Sequence, residues 1–319
     1  MSEDKRKLKI VFFGTPEFAV ASLDRLLKKG CDIAAVVTMP DKQAGRGHKI
    51  ISSDIKKYAL DHSLPILQPE NLKDPEFIER LRNINADLFI VIAFRMLPEV
   101  VWSMPPLGTF NLHASLLPKY RGAAPINWAV INGEKETGVT TFFLKHEIDT
   151  GDIISQRKIE ILPEYNVGDV HDILMEIGSE EVEKVVDDIE KGVVKSLPQP
   201  DGEYVAAPKI HKETCHINWE EEAEKINNLI RGLSPYPGAW TTLSEDKDPD
   251  HPFDVKIYTS KPYASFDESL SPGEISVDGD KMFVGTGKGA LEVISLQPAG
   301  KKRMDTSAFL RGYRPIKFI

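Results

Sequence analysis

The sequence has few cysteines and no long apolar run. Cys31 and Cys215 are the only cysteines among 319 residues, too few for the disulfide framework of a small secreted domain or for a cysteine-based zinc site. The longest uninterrupted apolar stretch, Leu88 to Phe94, has seven residues, whereas a membrane-spanning helix needs about 20. The first seven residues are mostly polar and lead into a strand-like segment without an apolar signal core. We therefore expect a cytoplasmic protein with reduced thiols and no membrane segment.

Positive charge is also scarce overall. The chain has 40 Lys and Arg residues against 49 Asp and Glu, a net charge of −9, which argues against a protein that coats nucleic acid. The distribution is uneven, since residues 210–280 carry 6 basic and 15 acidic side chains while residues 281–319 carry 8 basic and 2 acidic ones. A basic end can present a local patch to an anion, or it can be a solvated tail. The charge pattern leaves both interpretations open.

The hydrophobic pattern divides the chain into two dissimilar parts. From residue 8 to residue 192, short apolar runs alternate with amphipathic segments, which predicts βαβ units and a mainly parallel sheet. Residues 196–212 contain three prolines and no periodicity, which predicts a linker. Beyond it, short strand candidates separated by Gly and Pro predict a small β-barrel. We therefore divide the chain into a first domain (1–195), a linker (196–212) and a second domain (213–319).

Local patterns also predict three particular elements. Thr109 to His113 is predicted as a strand, and Ile153 to Ile161 is predicted to pair at the edge of the sheet. In the second part, Asn218 is predicted to cap a helix that runs from Trp219 to Arg231, because Asn is a favoured N-cap residue.

Polar residues at the end of a predicted strand carry the clearest chemistry. Asn111 and His113 are two apart in the strand, so they project from the same face. They stand at its carboxyl end, where open α/β sheets place their ligands. An amide donor beside an imidazole suits acyl transfer, because preorganised donors stabilise the negative charge that develops on a carbonyl oxygen. Taken alone, the pair is better explained by side chains that satisfy backbone groups at a strand end.

A loop with two carboxylates follows the next predicted strand. Asp149 and Asp152 flank a glycine turn in the sequence His146 to Asp152. A carboxylate near His113 can fix the tautomer of the ring and accept the proton that an attacking amine loses, although such a loop alone is only a turn. Together, strand and loop predict a base and an oxyanion binder without a serine or cysteine nucleophile. Ser115 lacks a convincing triad, so direct transfer is favoured over an acyl-enzyme.

Five separated motifs stand in one order along the chain. They are Phe13 to Ala19, Pro40 to Gly47, Asn111 to Pro125, Asp149 to Asp152 and Ser295 to Lys302. In these five motifs the sequence resembles the methionyl-tRNA formyltransferase family, and the resemblance covers essentially the whole chain. The resemblance implies an α/β fold, in which a Rossmann-like formyltransferase domain with a mainly parallel sheet is followed by a small OB-like β-barrel. It also implies direct transfer of the formyl group of 10-formyltetrahydrofolate to the α-amine of methionyl-initiator tRNA.

The resemblance also implies roles for particular residues. The catalytic Asn, His and Asp of the family fall on Asn111, His113 and Asp149, with the first two stabilising the oxyanion and the third assisting proton removal. The reduced-folate segment falls on Ser115, Leu116, Leu117 and Pro118. The tRNA contacts fall on Lys42, Arg46 and Lys49 in one loop and on Lys301, Lys302 and Arg303 near the carboxy terminus. We expect no bound metal, since the histidines show no metal-ligand spacing. We also expect a monomer.

One segment departs from the family pattern, and other formyltransferases remain alternatives. Ala93 to Pro98 lacks a glycine and is one residue shorter than usual, in a stretch that helps shape the pterin pocket. Sugar-amine formyltransferases share the Asn111 to Pro125 block but would need neither the Pro40 to Lys49 loop nor a tRNA-binding domain. Glycinamide ribonucleotide formyltransferase is a shorter single domain. A non-catalytic RNA-binding protein would not need the Asn, His and Asp trio.

Overall fold

The structure is a computed structural model that describes residues 7–44, 49–200, 204–263 and 270–319, with the backbone alone at 43, 44 and 49. The chain forms two compact units. The first contains residues 1–122, 138–159 and 171–206, and the second contains residues 123–137, 160–170 and 207–319. Within the described ranges, none of the helices combines the length and the hydropathy needed to cross a bilayer.

Helices and strands alternate in the first part of the chain, and strands predominate in the second. The strands are β1 (Lys9–Gly14), β2 (Asp32–Val37), β3 (Lys42–Ala44), β4 (Lys49–Ile51), β5 (Ile66–Leu67), β6 (Leu88–Ile92), β7 (Thr109–His113), β8 (Arg121–Gly122), β9 (Glu136–Phe143), β10 (Ile153–Glu160), β11 (Ala206–Ala207), β12 (Ala239–Glu245), β13 (Asp248–Tyr263), β14 (Ile275–Asp278), β15 (Lys281–Gly285), β16 (Ala290–Pro298), β17 (Met304–Asp305) and β18 (Pro315–Phe318). The helices are α1 (Glu17–Lys28), α2 (Asp54–Asp61), α3 (Pro75–Ile84), α4 (Glu99–Trp102), α5 (Pro125–Ile131), α6 (Val167–Glu190), α7 (Ala223–Leu233) and α8 (Thr306–Gly312), with a 3-10 turn at Glu213–Cys215.

The large sheet of the first unit has the strand order β10-β9-β7-β6-β1-β2-β5. Within this order, the neighbouring strands β7, β6, β1, β2 and β5 pair in parallel, and β9 runs antiparallel to β7. All five residues of β6 are buried, as expected for a central strand of a parallel sheet that is covered on both faces. The predicted mainly parallel sheet, the strand Thr109–His113 and the edge position of the strand that begins at Ile153 are confirmed.

The sheet of the second unit is antiparallel and nearly closed. Its strand order is β14-β15-β16-β13-β12-β18, with the short β17 paired to β16. The two end strands meet where Glu274 bridges Lys317 and where the Phe318 N–H donates to the Gly273 carbonyl at 2.8 Å. Buried side chains of α7 and the strands, including Ile230 and Val255, fill the interior. The predicted small β-barrel is confirmed.

Two predictions for the second unit are wrong in detail. The helix begins at Ala223 rather than Trp219, because Trp219 is buried in the core and stacks on Phe318 with ring centroids 5.3 Å apart. Asn218 does not cap this helix, and its side-chain oxygen accepts the N–H of Glu220 in a local turn. The solvated-tail interpretation is also wrong, since the basic end includes a helix and strands with buried aromatic residues.

Replacement of Phe318 by alanine tests the barrel core. Phe318 is 1% exposed and packs on Trp219, so Phe318→Ala is expected to lower the free energy of unfolding by about 3 kcal/mol. Ile316 lies on the same strand but is 42% exposed, and Ile316→Ala is expected to change that free energy by less than about 0.5 kcal/mol. Urea unfolding of both variants measures the difference, and equal values would contradict the assigned core.

Candidate active site

The carboxyl end of β7 presents the predicted Asn and His side chains. β7 lies between β6 and β9, with Asn111 opposite Val91 on one side and His113 opposite Thr140 on the other. His113 is 7% exposed, and Asn111 is half-buried. Their spacing of two residues puts both side chains on one face at the end of a strand that is anchored on both edges.

Two contacts fix the ring of His113. Its Nε2 lies 2.9 Å from the main-chain carbonyl oxygen of Tyr120. Because a carbonyl oxygen only accepts hydrogen bonds, Nε2 carries a hydrogen and donates it. The other nitrogen, Nδ1, faces the Oδ2 atom of Asp149 at 3.9 Å. That distance exceeds a direct hydrogen bond, and it leaves the two atoms close enough to act on one N–H group between them.

A hydrogen bond to its carboxylate and an unusual backbone conformation together position Asp149. Its Oδ2 accepts the N–H of Gly122 at 3.0 Å, and its backbone φ is +55°, in the left-handed region that residues with a side chain seldom adopt. The neighbouring Gly151 is required by space, since an added Cβ would lie 1.6 Å from the carbonyl oxygen of Phe143. The glycine turn thus lets the loop lie against the end of β9 and directs the Asp149 carboxylate to His113.

Asn111 contributes a polar atom that the described part of the protein leaves unpaired. Its Oδ1 is buried and makes no hydrogen bond with any described residue. A buried polar atom without a partner costs about 1–3 kcal/mol, and such atoms are rare unless a ligand or water completes them. The amide also carries two N–H donors on Nδ2. Asn111, His113 and Asp149 therefore form a small polar site with unused hydrogen-bonding capacity.

The segment Ser115 to Pro118 follows β7 directly. Ser115 is fully buried, and its hydroxyl donates to the carbonyl of Lys119 at 2.7 Å. Leu117 is also buried, whereas Leu116 and Pro118 are half-buried. The side chains that remain accessible in this segment are therefore those of Leu116 and Pro118, and the Ser115 hydroxyl serves the turn itself.

Two residues outside the predicted set brace this segment. The Thr140 hydroxyl donates to the Ser115 carbonyl at 2.6 Å and accepts the Leu117 N–H at 3.1 Å. Gln156 donates from Nε2 to the Leu117 carbonyl and to the Thr140 hydroxyl, both at 2.9 Å. The hydroxyl thereby uses its donor and both of its lone pairs. The antiparallel pairing of Thr140 with His113 is a signal that could have located Thr140 from the sequence, once β9 was assigned next to β7.

Comparisons with known proteins identify the family to which this fold belongs. A family model described as formyl transferase matches residues 8–186, and one described as formyl transferase, C-terminal domain, matches residues 209–314. The methionyl-tRNA formyltransferase of Bacteroides fragilis is 55% identical over 97% of this chain and 96% of its own. That of Flavobacterium johnsoniae is 49% identical over 96% of each chain. The chain belongs to the methionyl-tRNA formyltransferase family.

Solved structures share the fold of this family member at low sequence identity. WlaRD, a sugar 3N-formyl transferase, has a TM-score of 0.65 and 22% identity over 93% of this chain and all of its own. HypX from Aquifex aeolicus, solved in complex with tetrahydrofolic acid, has a TM-score of 0.63 and 18% identity over 96% of this chain. The chain spans about half the length of HypX, 47%. These likenesses concern the fold.

In this methionyl-tRNA formyltransferase family member, Arg95 anchors the segment Ala93 to Pro98. Its Nη1 donates to the carbonyl of Glu70 at 2.7 Å, and its Nη2 donates to the carbonyl of Pro69. Burial lowers the pKa of the Arg95 guanidinium, a group whose ordinary pKa is so high that it stays charged at neutral pH. A cavity of about 1040 Å³ opens between residues 70–73 and residues 95–103, and His146 also lines it.

The predicted tRNA contacts lie in two places. Lys42 is exposed on β3, which pairs with β4 as a hairpin, Lys49 is the first residue of β4, and Arg46 lies outside the described residues. In the second unit, Lys301 and Lys302 are exposed in the turn between β16 and β17. Arg303 follows them, with Nε donating to the Ser295 hydroxyl at 2.7 Å and its guanidinium 4.7 Å from the Tyr258 ring. Among the residues that the structure describes, no group of three His, Cys, Asp or Glu side chains is arranged to hold a metal ion.

The close approach at Gly151 yields a prediction. Because a Cβ would overlap the Phe143 carbonyl oxygen, Gly151→Ala is expected to displace the loop and to lower the free energy of unfolding by about 2 kcal/mol, as overpacking does. Gly312 offers a matched control, since an added Cβ there meets no atom within 4 Å. Urea unfolding and the crystal structure of each variant measure the effect, and an undisplaced loop in Gly151→Ala would refute the requirement.

Proposed function

We propose that this chain transfers the formyl group of 10-formyltetrahydrofolate to the α-amino group of methionyl-initiator tRNA and so supplies N-formylmethionyl-tRNA for translation initiation. The observation that carries the proposal is the convergence of His113 Nδ1 and Asp149 Oδ2, 3.9 Å apart. Asn111 projects from the same face as His113, and its buried amide oxygen has no partner in the described part of the chain. Relatives named for this activity, 49 to 55% identical over nearly the whole chain, support the proposal. The proposed substrate is used in translation, so we propose that the enzyme acts in the cytoplasm.

In the proposed reaction the neutral α-amine attacks the formyl carbon. The new bond joins the amine nitrogen to that carbon, and the bond from the carbon to the folate nitrogen breaks. Asp149 accepts the proton that the amine loses, which then passes to the departing folate nitrogen. The Asn111 amide donates an N–H to the formyl oxygen as negative charge develops there, an interaction that lowers the barrier because the donor is already in place.

His113 acts through Nδ1, since its Nε2–H is occupied by the Tyr120 carbonyl. A neutral ring accepts an amine N–H at Nδ1 and helps to orient the nucleophile. A protonated ring donates from Nδ1 to the oxygen that becomes negative. In both states the Asp149 carboxylate 3.9 Å away accepts the amine proton. With a neutral ring the two side chains therefore act on the amine together, and with a protonated ring His113 acts on the formyl oxygen instead.

We propose that the reduced folate binds at Ser115 to Pro118 and along the segment Ala93 to Pro98. Leu116 and Pro118 offer half-buried apolar surface on a turn that Thr140 holds in place. The cavity beside Arg95, at about 1040 Å³, is near the upper end of the sizes that hold small molecules. The lining of this cavity includes Arg95 to Pro98 and none of the residues Ser115 to Pro118, so the proposed folate contacts with the turn depend on the half-buried Leu116 and Pro118. When bound, the folate supplies the activated formyl group.

We propose that residues 213–319 bind the tRNA, that residues 196–212 connect them to the catalytic domain at 1–195, and that the enzyme is a monomer. The separate match of residues 209–314 to a carboxy-terminal family model supports this division. Exposed Lys301 and Lys302, with Arg303, lie in a region with 8 basic and only 2 acidic residues. Cationic side chains position a phosphate backbone without reading its sequence. Lys42, Arg46 and Lys49 are proposed to contact the acceptor end of the tRNA.

Replacing Asp149 by asparagine tests the catalytic assignment. Asp149→Asn keeps the shape of the side chain but removes the proton acceptor, so formylation of methionyl-initiator tRNA is expected to fall about 100-fold or more. Asp152→Asn is the matched control, because Asp152 lies in the same loop and pairs with the exposed Lys145 at 2.6 Å. Its rate is expected to stay within about threefold of the parent, as for surface ion pairs of small energy.

The rates are measured with 10-formyltetrahydrofolate and methionyl-initiator tRNA, with a parallel reaction on a 4-amino-sugar nucleotide. Equal losses in the two variants would contradict the role of the Asp149 carboxylate. Faster formylation of the sugar amine than of the tRNA would contradict the proposed substrate.

Reversing the charge of Lys301 and Lys302 tests the tRNA surface. The double variant Lys301→Glu, Lys302→Glu is expected to raise the KM for tRNA about tenfold and to lower the slope of log KM against log salt by about one or two, because phosphate contacts release counterions. The KM for folate is expected to stay unchanged. Lys28→Glu with Lys184→Glu makes the same change in net charge at exposed positions of the first unit. A control that weakens tRNA use equally would contradict the assignment.

A further inference from the structure

The segment that follows α6 is bonded to the loop that carries Asp149. Leu197 and Ile153 form an antiparallel bridge, in which each N–H donates to the other residue's carbonyl at 2.7 and 2.9 Å. In an antiparallel pair, two steps forward on one strand lie opposite two steps back on the other. This register sets Gln199 opposite Gly151. Residues of the predicted linker are therefore held against the active-site loop.

The carboxamide of Gln199 makes three hydrogen bonds in this position. Its Nε2 donates to the main-chain carbonyls of Asp149 at 2.6 Å and of Gly151 at 3.0 Å. Its Oε1 accepts from Nη2 of Arg121 at 2.5 Å. Both N–H donors and the acceptor of the amide are thus engaged. A side chain with two bonds to the main chain of one loop restrains the course of that loop.

These bonds reach Asp149 from two directions. The backbone at Asp149 has φ +55°, a conformation that persists in a residue with a side chain only when its surroundings impose it. The Asp149 carboxylate accepts the N–H of Gly122 at 3.0 Å, and Gly122 follows Arg121, the residue bonded to Gln199. Gln199 therefore connects the main chain of Asp149 to the segment that binds its carboxylate.

We propose that Gln199 is a positioning residue that keeps the Asp149 carboxylate beside His113, an inference that rests on the proposed formyl transfer. Gln199 acts through Asp149 and takes no part in the proton transfer itself. Without its bonds, the backbone at Asp149 relaxes to a more favourable conformation, and the carboxylate turns away from Gly122 and from the ring.

Two variants of Gln199 separate this role from simple space filling. Gln199→Ala removes all three bonds, and Gln199→Glu keeps the volume but sets carboxylate oxygens against the two carbonyls. Both are expected to lower kcat about tenfold and to leave the KM values within about twofold, the pattern of a group that acts in the chemical step. Ser179→Ala is the control, since Ser179 likewise donates to one main-chain carbonyl (Glu176, 2.7 Å) and accepts from one side chain (Arg25, 3.0 Å). Its kcat is expected to be unchanged, and wild-type kcat in Gln199→Glu would overturn the proposal.

A double variant tests whether Gln199 acts through Asp149. In the Asp149→Asn background, Gln199→Ala is expected to cause no further loss of kcat, because coupled residues show non-additive effects. A further tenfold loss there would assign Gln199 an independent role and overturn the proposal.

Hydrogen exchange of the Gly122 amide gives a reading that does not require activity. This N–H is bonded to the Asp149 carboxylate, so Gln199→Ala is expected to speed its exchange about tenfold by releasing the carboxylate. Unchanged exchange would overturn the positioning role even if the enzyme formylates tRNA. Conversely, a wild-type protein that formylates no amine would refute the proposed function, while the Gly122 amide would still report on the loop.

Discussion

The antiparallel pairing of β9 with β7 is the constraint on which the rest of the site depends. It sets Thr140 opposite His113 and returns the chain along the strand that carries the catalytic candidates. The loop that follows β9 consequently begins beside that strand, where the Leu144 N–H donates to the Thr109 carbonyl at 2.8 Å. A parallel strand in this place would need a crossover and would start its loop elsewhere. The antiparallel pairing thus starts the loop at the amino end of β7, and the loop must run back along the strand to place Asp149 beside His113.

The site also shows two opposite uses of polar atoms. The hydroxyl of Thr140 has every hydrogen-bonding position filled by protein groups, and its bonds fix the turn from Ser115 to Pro118. The amide oxygen of Asn111 has no partner among the described residues. Saturated groups stabilise the scaffold, whereas an unsaturated buried group carries an energetic cost that a bound substrate can remove. Thr140 thus fixes the structure around the site, whereas Asn111 inside it keeps an acceptor that a substrate can use.

Sequence patterns predicted the elements whose signal is local. The strand from Thr109 to His113 follows from alternation, and the spacing of two puts Asn111 and His113 on one face. The helix start at Trp219 was wrong, because a buried indole that stacks on Phe318 has no signature in neighbouring residues. Thr140, Gln156 and Gln199 escaped notice for a related reason. They act on main-chain atoms of distant segments, so their own residue types indicate no particular chemistry.

The contact between His113 and Tyr120 has an evolutionary consequence. The acceptor for Nε2 is a main-chain oxygen, which every amino acid supplies, so no side-chain substitution at position 120 deletes it. The backbone conformation at position 120 must be kept, since Tyr120 has φ +61°. Substitution at this position is therefore confined to residues that tolerate a left-handed main chain, and the burial of the Tyr120 side chain restricts it further. The hydrogen on Nε2 of His113 is thus held by a main-chain contact, which a change of side chain does not remove directly.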